Sequence, residues 1–173
     1  LTCVATMIIK VPTPTMGYIH PGDSIVLLSG FLLGPVYGGL AAGIGSMFSD
    51  LFGGYFSYAP ATFVIKTLTA VFASLLFRAF TKKLSDVSAG KQAAFTAISG
   101  TIGEAFMVFG YFVFEIFLMA IATGDGFSST SLAAGVASSA SGIPFNIVQG
   151  LFGVILSTIL YPLLKKPLAQ FTD

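Results

Sequence analysis

The chain has 173 residues, 55% hydrophobic and only 9% charged, with a formal net charge of +1 and a mean hydropathy of +0.92. A soluble domain carries about a quarter charged residues, so a surface that faces water on all sides is excluded, and without a basic tract there is nothing to hold nucleic acid. The one cysteine, Cys3, excludes an internal disulfide framework and a cysteine metal cluster.

The length fits one membrane-embedded domain, 1–173, and no basic start with a cleavage site marks a signal peptide. Apolar runs of about twenty residues mark membrane passages. Leu1 to Val11 is apolar but short, and Pro12 and Pro14 end it; it reads as the outer half of a first helix whose start lies upstream. Ser24 to Leu33 and Gly38 to Phe52 form a helical hairpin around the breakers Gly34 and Pro35. Ala61 to Phe80 is a fourth span, Ala93 to Ile121 a fifth and Ile143 to Leu164 a sixth. The expected fold class is therefore an all-α membrane protein with six transmembrane helices. Arg78, Lys82, Lys83 and Lys91 surround the loop after span four, and Lys165 and Lys166 follow span six. The positive-inside rule makes that side cytoplasmic, with both termini on it. The loops 13–23, 53–60 and 123–141 contain no lysine or arginine and face outward. The expected location is the bacterial cytoplasmic membrane.

Several polar residues stand where lipid would be. Lys66 lies about two turns into span four, Glu104 and Glu115 are in span five, and Asn146 and Gln149 are in the outer half of span six. A charge at the centre of a membrane helix costs about 2.5–3.5 kcal/mol, so such groups face an interior or a cavity. Glu104 and Glu115 are eleven positions apart and share a helical face with Tyr111; Asn146 and Gln149 are three apart, flanked by Gly142, Gly150 and Gly153. Lys66, Glu115, Asn146 and Gln149 fall at similar depth, with Glu104 deeper. Two readings follow: a Lys66–Glu115 ion pair that ties two helices together, or a polar cavity open to the outside, with Lys66 and Glu115 as charged handles and Asn146 and Gln149 reading hydrogen bonds.

The outer loops would close such a cavity. Tyr18, His20 and Asp23 in the first loop and Tyr55, Phe56 and Tyr58 in the second supply flat aromatic faces with polar tips, suited to a small planar heterocycle. An interfacial aromatic belt is the competing explanation for some of the tyrosines. His20 is the only histidine, so a histidine metal cluster has no support. Asp50 is either a ligand contact or a water-facing helix-end residue. In span three, Gly39, Ala41, Gly43 and Gly45 place small residues four apart, which lets helices approach closely.

The run PTPTMGYIHPGD, followed by LLSGFLLGPVYGGLAAGIGSMFSDLFGGY and YAPATFVIK, resembles the substrate-binding S component of energy-coupling factor (ECF) vitamin transporters. The similarity covers nearly the whole chain and is closest to the riboflavin, pyridoxine and hydroxymethylpyrimidine branch. It implies capture of a vitamin from outside by the outer loops and outer helix halves, here His20, Asp23, Tyr58, Lys66, Glu104, Glu115, Asn146 and Gln149. It also implies a transmembrane T component and two cytoplasmic ATPase subunits as partners, with ATP and Mg used by those subunits and no cofactor in this chain. Hydroxymethylpyrimidine or pyridoxine-like ligands suit a compact pocket, and riboflavin stays open. The small-x-x-x-small motif that often docks the first helix on the T component is absent from the segment, where Ala5 is followed four residues later by Ile9.

The chain contains no GxxxxGK[ST] phosphate loop, so ATP hydrolysis and enzyme activity are not expected of it. The alternative function is a stand-alone proton-coupled carrier of a small aromatic solute, with Glu104 and Glu115 carrying protons; six spans without a repeat argue against it.

Overall fold

The computed structural model describes residues 1–9, 11–12, 18–82, 88–124 and 126–169, with 11, 12, 18, 19 and 166–169 as backbone alone. Among these there are five helices: α1 (Thr2–Ile8), α2 (Gly22–Gly53), α3 (Ala59–Thr81), α4 (Ala89–Ala122) and α5 (Ser129–Ala169). The only strands described are β1 (Val11–Pro12) and β2 (Tyr18–Ile19), an antiparallel pair between α1 and α2. Four of the helices, α2 to α5, are long and apolar enough to cross a membrane.

The breakers expected at Gly34 and Pro35 act inside α2. Gly34 has φ +86° and ψ 178°, and the chain reverses there. A Cβ on Gly38 would lie 2.8 Å from Gly30 Cα, a contact that only two folded-back arms allow. Both arms lie along α3. In the first, Asp23 meets Lys66 and Gly30 meets Ala70. In the second, Gly43 meets Phe63 and Gly39 meets Val71, so this arm runs the opposite way. The first arm has twelve residues before Gly34, about 18 Å of helix. Its N-terminus therefore starts deep in the bundle, and Asp23 lies in the first helical turn rather than in the preceding loop.

Local signals set the other boundaries. Gly54, at φ +83°, closes α2 in the left-handed conformation, and Pro60 opens α3. Ser88 caps α4 by accepting from Lys91 N. Ser128 does the same for α5, its Oγ 3.1 Å from Ser131 N. The last helix is thus longer than expected: residues 129–141, read above as outer loop, are helical. Their Ser, Ala and Gly content resembles a linker, but the small side chains let α5 press on α4, where a Cβ on Gly135 would lie 2.7 Å from Ile116 O.

Arg78, Lys82, Lys91 and Lys165 stand at one end of the bundle; Lys83 lies outside the described residues, as does the side chain of Lys166. An aromatic plug seals the bundle toward that end. Phe31, Phe77 and Tyr161 pack with ring centroids 5.0, 5.1 and 6.0 Å apart, continuous with buried Leu27, Leu28, Ala73 and Val154.

Candidate functional site

Above the aromatic plug, toward the lysine-poor end, the bundle encloses a polar core. Asp23, Lys66, Glu104 and Gln149 are 0%, 1%, 4% and 4% exposed. Lys66 Nζ is ion-paired and hydrogen-bonded to Asp23 Oδ1. Gln149 Nε2 donates to Asp23 Oδ2 at 2.7 Å, and its Oε1 accepts from His20 N at 3.2 Å. His20 Nδ1 accepts from Gly22 N at 3.0 Å, so one glutamine ties the segment leading into α2 to the buried ion pair. Lys66 also sits over the Tyr111 ring, 5.3 Å from its centroid, and Tyr111 Oη shares a 3.0 Å hydrogen bond with Thr62 Oγ1.

The helices reach one another here because α5 carries glycine where carboxylates approach. A Cβ on Gly153 would lie 2.9 Å from Asp23 Cβ, and one on Gly150 would lie 3.0 Å from Glu104 Cβ. Neither Glu104 carboxyl oxygen has a hydrogen-bond partner among the described residues. Glu104 also borders a small apolar cleft of about 210 Å³ between α4 and α5, with Val108, Ile147, Leu151 and Val154.

A second feature lies nearer the lysine-poor end. A cavity of about 520 Å³ opens between the 54–58 segment, the end of α4 and the start of α5. Tyr55, Phe56 and Tyr58 form one wall, Leu118 and Met119 another, with Glu115, Ser138 and Ser141 as polar lining. Tyr58 packs edge-on against Phe114 at 5.3 Å and against Tyr55 at 6.4 Å. Its phenol and the Glu115 carboxyl line the same cavity and act on each other electrostatically. Burial, and next the Glu115 charge, push the Tyr58 phenol up to about 12, so at neutral pH it is a hydrogen-bond donor.

The eight residues singled out in the sequence therefore separate into layers. His20, Asp23, Lys66, Glu104 and Gln149 meet in the core, Tyr58 and Glu115 meet at the cavity, and half-buried Asn146 is in neither set of contacts. The Lys66–Glu115 ion pair is not formed: Lys66 takes Asp23, because the short first arm of α2 brings that carboxylate down to its level. Eleven helical positions put Glu115 about 16 Å along the axis from Glu104, enough to assign them to different layers. Thr62 and Tyr111 connect the layers and were missed as site residues. Thr62 is one turn from Lys66 on the same face, and Tyr111 lies on the Glu104–Glu115 face, so both were within reach of periodicity. The side chain of Tyr18 lies outside the described residues. Buried Asp50, at the cavity end of α2, acts electrostatically on Tyr58 and Tyr111. No group of three His, Cys, Asp or Glu among the described residues is placed to hold a metal ion.

A bundle of long apolar helices with an enclosed polar core and an aromatic cavity at one end has the build of a polytopic membrane protein. The chain belongs to the ECF-type riboflavin transporter S component family, whose family model matches residues 1–166. It is also 30% identical over 163 residues to an uncharacterised protein from the gap 3′ region of Pyrococcus woesei, covering 94% of this chain and 98% of that one. The family consists of vitamin-transporter substrate-binding components, not of enzymes, and the chain is accordingly an integral multi-pass membrane protein of vitamin uptake.

Proposed function

We propose that this S component captures a small planar vitamin or vitamin precursor from outside the cell and delivers it for ATP-driven uptake by a T component and two cytoplasmic ATPases, which use ATP and Mg. The observation that carries the reading is the aromatic cavity of about 520 Å³ at the end of the bundle away from Arg78, Lys82, Lys91 and Lys165. Its size falls within the range of small-molecule sites. In this reading α1, the two arms of α2, and α3 to α5 are six passages of a cytoplasmic membrane, with both termini on the cytoplasmic side. Tyr58 and Glu115 touch the ligand; His20, Asp23, Lys66, Glu104 and Gln149 form the floor that locks the segment before α2 to the bundle, with Asn146 between the two layers. Riboflavin is the first candidate from the family's description, and a hydroxymethylpyrimidine- or pyridoxine-like ring is the compact alternative.

Native mass spectrometry of the protein purified from its own host tests this. A retained flavin, pyridine or pyrimidine together with ATPase subunits is the expected result. Proton-driven uptake by the isolated chain in liposomes, with no ligand or partner retained, would replace it with a stand-alone carrier.

A further inference from the structure

We propose that the cleft between α4 and α5 is a second binding site, reached from within the membrane, where Glu104 pairs with the amine of a small apolar molecule. The cleft shares no described lining residue with the aromatic cavity, so this inference stands apart from the capture reading.

The carboxyl group supplies the first observation. Glu104 lies near the middle of α4 and is 4% exposed, and neither of its oxygens has a hydrogen-bond partner among the described residues. A buried polar group without a partner carries its full desolvation cost. The donors around it are engaged elsewhere. Lys66 attracts Glu104 electrostatically but donates to Asp23, and Gln149 Nε2 donates to Asp23 Oδ2 at 2.7 Å. Thr101, also on the cleft, donates from Oγ1 to Ala97 O at 2.8 Å. His20 Nδ1 accepts from Gly22 N, so that ring is not a second cation.

The opening beside the carboxyl supplies the second observation. A volume of about 210 Å³ is bordered by Glu104 and by apolar Val108, Ile147, Leu151 and Val154. Gly150 uncovers the acid there, since a Cβ on it would lie 3.3 Å from Glu104 Oε2. Ile102, Ile147 and Leu151 are exposed, so in a membrane-spanning bundle the mouth of the cleft faces hydrocarbon. An apolar cavity of about 150 Å³ holds one benzene molecule, so this cleft has room for one six-membered ring.

The two observations select the ligand's chemistry. Hydrocarbon offers no water to complete a carboxyl group, and a molecule dissolved in it arrives uncharged. An amine meets both conditions, because it enters as the neutral base. Beside Glu104, acid and base share one proton: the nitrogen gains what the carboxyl oxygen loses, and nothing else changes hands. The ionised arrangement is a charge-assisted hydrogen bond, roughly twice as strong as one between neutral groups. An alcohol of the same shape forms only the neutral bond.

The test uses the full chain in lipid nanodiscs and a benzylamine carrying a photoreactive trifluoromethyl diazirine on its ring, with adducts located by peptide mass spectrometry. Adducts are expected on Val108, Ile147, Leu151 and Val154. At matched concentrations in the bilayer, benzylamine should displace them at least about tenfold more effectively than benzyl alcohol. Glu104→Gln keeps the shape but cannot share a proton, and should lower the adducts about tenfold. Ile147→Trp shades the cleft from the lipid side and should lower them likewise, and thermal melting identifies which variants are folded. Equal displacement by amine and alcohol overturns the inference; it is the result of a carboxyl that only keeps its own proton. Adducts spread evenly over the lipid-facing residues of all the helices overturn it too, as do unchanged adducts in either folded variant. The comparison of the two competitors needs wild-type protein alone, and decides by itself should neither variant fold.

Discussion

Lys66 and Asp23 are both fully enclosed, and a charge left alone in such a place has no water to turn to. Lys66→Met is expected to cost on the order of 3–5 kcal/mol, because it strands the Asp23 carboxylate. Lys66→Met with Asp23→Asn should recover most of that loss, since Asn still offers an oxygen to Gln149. Reversible unfolding in mixed micelles measures both, and a single variant as stable as the double would mean the pair is not dry. Gln149 and Asn146 separate by the same logic. Gln149→Ala removes two hydrogen bonds in the core and should cost about 1–3 kcal/mol and loosen the His20 segment, whereas Asn146→Ala should leave stability near wild type. Equal melting temperatures for the two would remove Gln149 from the latch. The sequence exposed the polar residues themselves, because a lysine or glutamate inside an apolar run is conspicuous. It did not reveal their pairing. HPGD before an apolar run reads as loop, and only the depth at which α2 begins shows that Asp23 lies level with Lys66.

At the scale of an element, the reversal inside α2 decides where the core forms. Gly34 occupies φ +86° and ψ 178°, a conformation essentially reserved for glycine, and a Cβ there would fall against the Arg78 guanidinium. Gly34→Ala should therefore destabilise the protein by on the order of 1–3 kcal/mol. It should also weaken ligand binding, because a displaced first arm carries Asp23 with it. Unfolding curves and binding isotherms on the same sample test this; lowered stability with unchanged affinity would uncouple the turn from the site. Gly34 and Pro35 made this hairpin legible, as the apolar runs did for α3 and α4. The start of α5 was not legible: STSLAAGVASSASG has the composition of a linker, and it becomes helix through the Ser128 cap and through close packing on α4, neither of which composition records.

For the whole molecule, the asymmetry of charge and the position of the cavity make one joint claim about sidedness. Basic residues gather at one end and the aromatic cavity opens at the other, with α3 of 23 residues, about 34 Å, between them. That length matches a hydrocarbon core of about 30 Å, so the two ends lie on opposite sides of a bilayer. Cys3 is the only cysteine, and Cys3→Ser gives a background for single-cysteine labelling. Exposed Ser57 marks the cavity end and exposed Lys91 the basic end. In sealed right-side-out vesicles, an impermeant maleimide should label Ser57→Cys at once and Lys91→Cys only after permeabilisation. The reversed pattern would invert the molecule and point the cavity at the cytoplasm, where it has no use in capture. Labelling of both without permeabilisation would mean that α3 does not cross. Vitamin binding must follow the same geometry: sealed right-side-out vesicles should bind ligand to the same extent before and after permeabilisation, because the aromatic plug of Phe31, Phe77 and Tyr161 closes the path from the basic end.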